Sequence, residues 1–266
     1  RESTAELIHL NVCFLNTTSN SDAFHMSHNI LFGKRLAKKG RTISLNMSMS
    51  YNHSDMNGTI LSDNIFYNDN GTSYDSSLNQ IYTRDAITRN FGSKIIYTEP
   101  MGKRSLFEFS GFFNTNIGTS YKLTFDYNNL SGKHDAFNPL LSNDYKSNYT
   151  YSGGGINFRT NQKKVNITAG AQLQSAELKG VNNFFHQNIK QSFTDVLPDA
   201  ILQYNISPTK NLRFEYNAST TQPSIIQLQP VADVSDPLNI TIGNPNLKRA
   251  YQHNIKVNQF AAKHIA

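Results

Sequence analysis

Residues 43–51 read ISLNMSMSY. Ile43, Leu45, Met47, Met49 and Tyr51 alternate with Ser44, Asn46, Ser48 and Ser50. That is the two-residue period of a strand with one apolar and one polar face. The period returns in VNITAGAQLQ at 165–174, where Val165, Ile167, Ala169, Ala171 and Leu173 alternate with polar residues and Gly170. It returns again in NLRFEYNAS at 211–219, where Leu212, Phe214, Tyr216 and Ala218 alternate with Arg213, Glu215, Asn217 and Ser219. Since no window of comparable length shows a helical period, the chain reads as all-β.

Composition narrows the class. Of the 266 residues, 38% are hydrophobic and 17% charged, against roughly 45–50% and about 25% in an average soluble domain. Asn, Ser and Thr make up the difference. With 17 Phe, 13 Tyr and a net charge of only +6, the chain is not a disordered one. The single cysteine, Cys13, rules out an intrachain disulfide framework. No run approaches the ~20 apolar residues of a membrane helix. Residues 1–11, RESTAELIHLN, lack the charged-then-apolar pattern of a signal peptide. Lys34, Arg35, Lys38, Lys39 and Arg41 are the one dense basic cluster. They flank a short turn, so they read as a basic rim near lipid headgroups and not as a nucleic-acid stripe.

The connections follow an order. AKKGR (37–41), PMGKR (100–104), TNQKK (160–164) and SPTKN (207–211) join strands as tight hairpins. Long polar connections are expected between them, around 54–78, 128–144, 179–190 and 222–250. About ten strands are expected, near 6–16, 29–36, 41–53, 79–98, 104–127, 145–160, 164–178, 191–206, 211–221 and 251–260. Short turns at one end and long loops at the other are the habit of an antiparallel up-and-down transmembrane β-barrel. The Asn/Ser/Thr/Gln face suits a wet lumen, and the face carrying Phe, Tyr, Leu and Ile suits lipid. A barrel pairs its own backbone without any long apolar run, which reconciles low hydrophobicity with membrane residence. The absence of Trp leaves Tyr to form the interfacial girdle.

PSIIQLQPVADVSDPLNITIGNPNLKRAYQHNIKV, from Pro223, carries four prolines, at 223, 230, 237 and 245. It resembles the C-terminal half of TonB-dependent receptor barrels, especially the outer membrane β-barrel family abundant in Bacteroidetes. The likeness lies in Pro223, Ser224, Gln227 and Leu228, then Ser235, Asp236, Pro237 and Leu238, then Gly243, Asn244, Pro245, Leu247 and Lys248. KKGRTISLNMS and IIYTEPMGKRSLFEFS resemble strand-turn-strand units of the same family, so the likeness runs over most of 29–258. Where that family usually continues Leu-Lys-Pro-Glu, this chain has Leu247-Lys248-Arg249-Ala250. The prolines fix φ and remove donors, keeping 222–250 out of the ladder. Asp236-Pro237 and Gly243-Asn244-Pro245 are turn formers. Pro223, Gln227, Asp236, Pro237, Gly243, Asn244, Pro245 and Leu247 are therefore the candidate site residues, read as an ordered loop that packs on the barrel rim or on a plug.

Other motifs carry less. His25 and His28 form a possible metal pair with no third ligand nearby, and read as loop residues. NDNGTSYD at 68–75 lacks the leading Asp and closing Glu of an EF-hand and reads as a solvated turn. No nucleophile elbow, Walker loop or zinc-protease motif is present, so no catalytic, metal or cofactor site is expected.

The resemblance implies a single domain over 1–266, an outer-membrane barrel segment incomplete at both ends and lacking a plug. It implies nutrient uptake, of the metal-chelate or glycan class. The partners it implies are outer-membrane lipid, the plug and remaining strands of the same protein, and a TonB-type energiser acting through the plug. No nucleic acid is implied. A small autonomous pore or surface anchor, and a secreted soluble glycan-binding β-protein, stand as alternatives. ELIHLNVCFLN at 6–16 and HNIKVNQF at 253–260, the latter read as losing its alternation, are expected as two unpaired edges of an open, strongly curved sheet.

Overall fold

The computed structural model describes residues 12–67, 72–184, 186–228, 232–233 and 240–261. Four long strands open the chain: β1 (Val12–Arg35), β2 (Thr42–Tyr67), β3 (Ser73–Met101) and β4 (Ser105–Asn128). A short β5 (Lys133–Phe137) precedes β6 (Asn143–Asn161), β7 (Val165–Asn182), β8 (Gln187–Ser207) and β9 (Lys210–Thr221). One helical turn, α1 (Ile225–Leu228), and two-residue strands β10 (Ala232–Asp233) and β11 (Thr241–Ile242) lead to β12 (Ala250–Ala261). The main sheet runs β1-β2-β3-β4-β6-β7-β8-β9-β12, with β5 paired to β4 beside that path. All its pairings are antiparallel. It is an open sheet curled into a half-barrel. Among the described residues, β1 and β12 each pair on one edge only.

The register assigns every side chain to a face. Ser50 of β2 lies opposite Asn90 of β3, Asn90 opposite Asn116 of β4, Asn116 opposite Tyr149 of β6, and Tyr149 opposite Leu178 of β7. These point into the concave wall, where Asn46 and Ser48 of β2 share a cavity with Gln172 and Gln174 of β7. Outward, Leu45 is opposite Ile95, Ile95 opposite Gly111, and Met49 opposite Phe91. Phe91 and Phe113 approach to 6.4 Å between ring centres, and Phe107 and Phe158 to 5.3 Å.

The outward apolar face is continuous on the turn side of the sheet; farther along, β4 extends it with Tyr121, Leu123 and Phe125. On β2 it runs from Ile43 to Tyr51, on β3 from Arg89 to Tyr97, on β4 from Phe107 to Ile117 and on β7 from Val165 to Leu173. A tilted transmembrane strand needs roughly 9–11 residues, which these spans supply. Tyr97 and Tyr204 mark the turn-side rim. Tyr51, with the Arg89 guanidinium 5.8 Å from its ring centre, marks the loop-side rim. Beyond it, β2 turns His53, Asp55, Asn57 and Thr59 outward.

Several expected boundaries move. The expected strands at 6–16 and 29–36 are parts of one long strand; β1 is described from Val12, and residues 6–11 lie outside the described residues. Most of the connection expected at 54–78 is strand, because β2 continues to Tyr67 and β3 starts at Ser73. Likewise, only 183–186 separate β7 from β8. The asymmetry is therefore mostly one of strand length. At about 3.3 Å per residue, the 26 residues of β2 extend some 85 Å, far more than a hydrocarbon layer of about 30 Å. These extensions have polar residues on both faces, so alternation could not reveal them. The short connections stand as expected, at 36–41, 102–104, 162–164 and 208–209. Gly40 and Gly102 take positive φ there, 85° and 74°, a backbone state glycine adopts without strain. β12 keeps its alternation, with Ile255 and Val257 outward and Asn254, Lys256 and Asn258 inward, matching Tyr216 and Phe214 against Asn217, Glu215 and Arg213 of β9.

Candidate functional site: the inner wall and the loop that covers it

The proline-rich connection folds onto the concave wall. Ser224 and Gln227 close α1 reciprocally: the Gln227 N–H donates to Ser224 Oγ at 3.2 Å, and the Ser224 N–H donates to Gln227 Oε1 at 2.9 Å. This is a capping box, which satisfies two helix-end donors at once. It aims Leu228 inward, where it is 1% exposed and packs with Tyr149, Ala176 and Leu178. Tyr151, Ile189 and Phe193 border that cluster. The chain's apolar core is small and sits under this loop.

The second half of the motif is stitched to the first. The Asn244 N–H donates to the Gln227 carbonyl at 2.7 Å. Asn244 Oδ1 accepts the Asn246 N–H at 2.9 Å, an Asx-turn that sets the bend around Pro245. Gln191 Nε2 of β8 donates to the carbonyls of Pro245, at 3.4 Å, and Leu247, at 3.0 Å. Arg249 pairs with the almost fully buried Asp195 and lies with its guanidinium 4.9 Å from the Phe193 ring centre. Tyr251 donates its hydroxyl to the Val196 carbonyl at 2.5 Å. β9 pairs with β8 only from Asp199 onward, so these contacts occupy the edge that β9 leaves.

Six candidate site residues thus fall in one place: Pro223, Gln227, Gly243, Asn244, Pro245 and Leu247. Asp236 and Pro237 lie outside the described residues. Gln227, Asn244, Pro245 and Leu247 hold the loop's shape through main-chain contacts, and Pro223 lines a cavity of about 180 Å³ with Tyr149, Leu178 and Leu228.

Beside the loop, meeting it at Gln222, is a larger cleft of about 370 Å³. Tyr149 and Tyr151 of β6, Gln172 and Gln174 of β7, and Asn217 and Thr220 of β9 line it, with Asn157, Asp199 and Gln222. The two tyrosine rings are 5.5 Å apart. Gln174 Nε2 donates to Thr220 Oγ1 at 3.0 Å. Gly153 makes room beside them: a Cβ there would stand 2.0 Å from the Leu173 carbonyl oxygen and 2.7 Å from Phe112 Cζ. Sequence reasoning missed this cleft by giving tyrosine to the lipid face. Tyr145, Tyr149 and Tyr151 recur on the β6 face that also carries Ser147, Gly153 and Asn157, and that shared parity was the available signal.

The other expected groups resolve differently. His25 and His28 lie within β1, not in a loop, and point to opposite faces, opposite Asn52 and Met49. They cannot share a metal ion. His53, Asp55 and Asp85 converge instead on the outward face just past the apolar span, with ligand atoms within 4.8 Å of one another and His53 Nε2 2.7 Å from Asp85 Oδ2. At the short β1–β2 turn, Lys38 and Arg41 are tied to Glu99 of the neighbouring hairpin, at 2.6 and 2.7 Å. Tyr97 adds its hydroxyl to Glu99 at 2.6 Å. The Arg41 hydrogen bonds, then Lys38 and Tyr97, hold the Glu99 carboxyl at about 2, well below its ordinary value of 4.5. Two of the five basic residues are therefore committed to a carboxylate.

A family model described as the outer membrane protein beta-barrel family matches residues 34–264. The chain belongs to that family. Membership places the chain in the outer membrane. Comparison with curated proteins gave no match. Among solved structures, one described as the crystal structure of ferric citrate transporter FecA in the unliganded form is similar over 68% of this chain, at 12% identity and a TM-score of 0.43. The chain spans 27% of that transporter's length.

Proposed function

We propose that the chain is the C-terminal wall of a TonB-dependent receptor, taking up a scarce nutrient of the metal-chelate or glycan class across the outer membrane. The observation that carries this reading is the family-motif loop folded inward onto the concave wall beside a polar cleft. A passive pore has no need to fix a loop onto its inner wall with a capping box, a buried leucine and a buried ion pair. The motif itself resembles the Bacteroidetes-type TonB-dependent barrels. Pro223, Gln227, Gly243, Asn244, Pro245 and Leu247 then serve to hold the loop in place, with Asp236 and Pro237 as its turn formers. The remaining strands and the plug of such a receptor pair with the free edges of β1 and β12 and fill the concave side, and an inner-membrane energiser acts through the plug. The short turns face the periplasm and the long extensions the outside, as in other outer-membrane barrels.

Two measurements test this. Tags inserted after Ser131 and after Thr209 in the full gene are expected to label on intact cells at the first position only; labelling at Thr209 alone inverts the orientation. Solute uptake by cells carrying the gene is expected to collapse when the inner-membrane energiser is deleted. Uptake that survives the deletion favours a passive pore.

A further inference from the structure

Resting on that uptake reading, and deepening it, we propose that the cleft beside the motif loop binds a neutral polyhydroxylated solute, an oligosaccharide, with one sugar face laid on Tyr151. Three observations lead there.

The middle of the concave wall is uncharged across several strands. Ser50, Asn90 and Asn116 form a hydrogen-bonded row over β2, β3 and β4, with Asn90 Nδ2 donating to Ser50 Oγ at 2.9 Å and Asn116 donating to Asn90. That row continues into Tyr149. Next to it, Ser48, Gly92, Asn114, Gln172 and Gln174 border a second cavity of about 260 Å³ that shares Tyr151 with the cleft. An anionic chelate or a phosphorylated solute requires converging cations. The fixed charges at these two cavities are Asp199 and Lys94, of opposite sign.

The lining matches hydroxyls. Asn and Gln each offer two donors and an acceptor, and Thr and Ser each offer both roles. Sugar hydroxyls also donate and accept, so a wall of amides and hydroxyls satisfies them in either sense. Polar groups leaving water need such partners, or each costs free energy.

The aromatic pair supplies what water alone would not need. Tyr151, half-buried against the buried Tyr149, puts apolar ring area into a largely polar wall while carrying a hydroxyl of its own. Ligand sites combine apolar surface with a few placed polar groups, in volumes of roughly 300–1,000 Å³, a range that includes the cleft's approximate 370 Å³.

The test is calorimetric titration of the whole receptor encoded by the full gene, purified in detergent, with maltohexaose, cellohexaose, hexagalacturonate and ferric citrate. At least one neutral hexasaccharide is expected to bind more tightly than both anions. Tyr151→Ala is expected to weaken that binding about tenfold or more, Tyr151→Phe to leave it within about twofold, and Gln172→Ala to weaken it severalfold. Heat-modifiable gel mobility checks that each variant folds; if Tyr151→Ala does not, Gln172→Ala decides. Preference for either anion, absence of neutral binding, or indifference to both Ala variants overturns the proposal. Sugar binding without energiser-dependent uptake sinks the transport reading and leaves this one standing. Energiser-dependent uptake of a ferric chelate without sugar binding does the reverse.

Discussion

The two ends of the same strands solve different problems. On the turn side, β2 presents Leu45, Met47 and Met49 on one edge of its alternation and solvates Asn46 and Ser48 on the other, and there is no packed core. Lipid takes the place of a protein interior, so the strand needs only a continuous ladder and an apolar outside. On the loop side, β2, β3, β6, β7 and β8 continue past the apolar span with mostly polar residues outward, while β4 keeps Tyr121, Leu123 and Phe125 there. Water covers that outside, and stability must come from within. The buried residues gather there: Ile60, Tyr145, Tyr149, Ala176, Leu178 and Leu228, with Ser62, Asn143 and Asn182. One half is held by its solvent, the other by its own small core and the loop folded over it.

Substitutions that respect one half and offend the other break this comparison or sharpen it. The largest effect is expected at Leu228. Truncation to Ala empties a site that is 1% exposed and should cost about 2–5 kcal/mol, as large-to-small core changes do. Because the loss is confined to the loop side, limited proteolysis should cut 222–250 sooner while heat-modifiable mobility is retained. Loss of both together would mean that the halves are one cooperative unit. Next is Phe113→Arg, in the middle of the outward apolar span of β4, expected to cost about 2–4 kcal/mol in urea titrations of folding into lipid vesicles. Thr59→Arg, outward on the loop side of β2, should cost almost nothing. Equal tolerance at the two positions would remove the lipid-facing assignment, and Phe214→Arg against Arg213→Gln repeats the test on β9.

Legibility followed the same division. ISLNMSMSY, VNITAGAQLQ and NLRFEYNAS could be read because lipid on one side and water on the other impose a period of two. The same physics failed for 54–67, SDMNGTILSDNIFY, where water touches the outside and hydrogen-bonded side chains the inside, leaving little contrast to alternate. Those residues read as loop and are strand. In the site, Pro223, Asn244 and Pro245 were legible as turn chemistry, since proline and Asx-turns act locally, and Gln227 only through the resemblance. Tyr149, Tyr151, Gln174 and Asp195 were not, because their meeting depends on curvature that brings β6, β7, β8 and β9 around one cleft. Gly153 was equally silent; only the close approach of Phe112 and the Leu173 carbonyl gives it a reason.

A smaller effect is expected from the cap of α1. Ser224→Ala removes the acceptor for the Gln227 N–H and leaves only the backbone half of the capping box, the Ser224 N–H to Gln227 Oε1. Loss of such a cap costs typically about 1 kcal/mol. The readout is amide exchange over 224–228, faster in the variant, while exchange within 43–51 stays unchanged. Ser224→Asp should restore protection, since aspartate caps as well as serine. If it does not, the motif's serine acts otherwise than as a cap.

The smallest effect belongs to the turn side and shows only in acid. Glu99 is partly exposed, yet Arg41, Lys38 and Tyr97 hold its carboxyl at about 2 in the folded chain, against an unfolded value near 4.5. A carboxylate whose pKa is lowered by folding binds fewer protons folded than unfolded, so stability rises with pH between the two values. The contribution is complete above about 4.5 and disappears as pH falls toward about 2. Solvent screening keeps it small at such an exposed site. Glu99→Gln keeps the shape but removes the charge, so the difference in unfolding midpoint between wild type and variant should be constant from pH 7 to 5. It should then shrink as pH falls through 4.5 toward 2, and 0.5 M salt should reduce it further. Parallel curves across that whole range would show that the Lys38–Glu99–Arg41 contact contributes packing and not charge. The β1–β2 turn would then be held, like the strands it joins, without help from electrostatics.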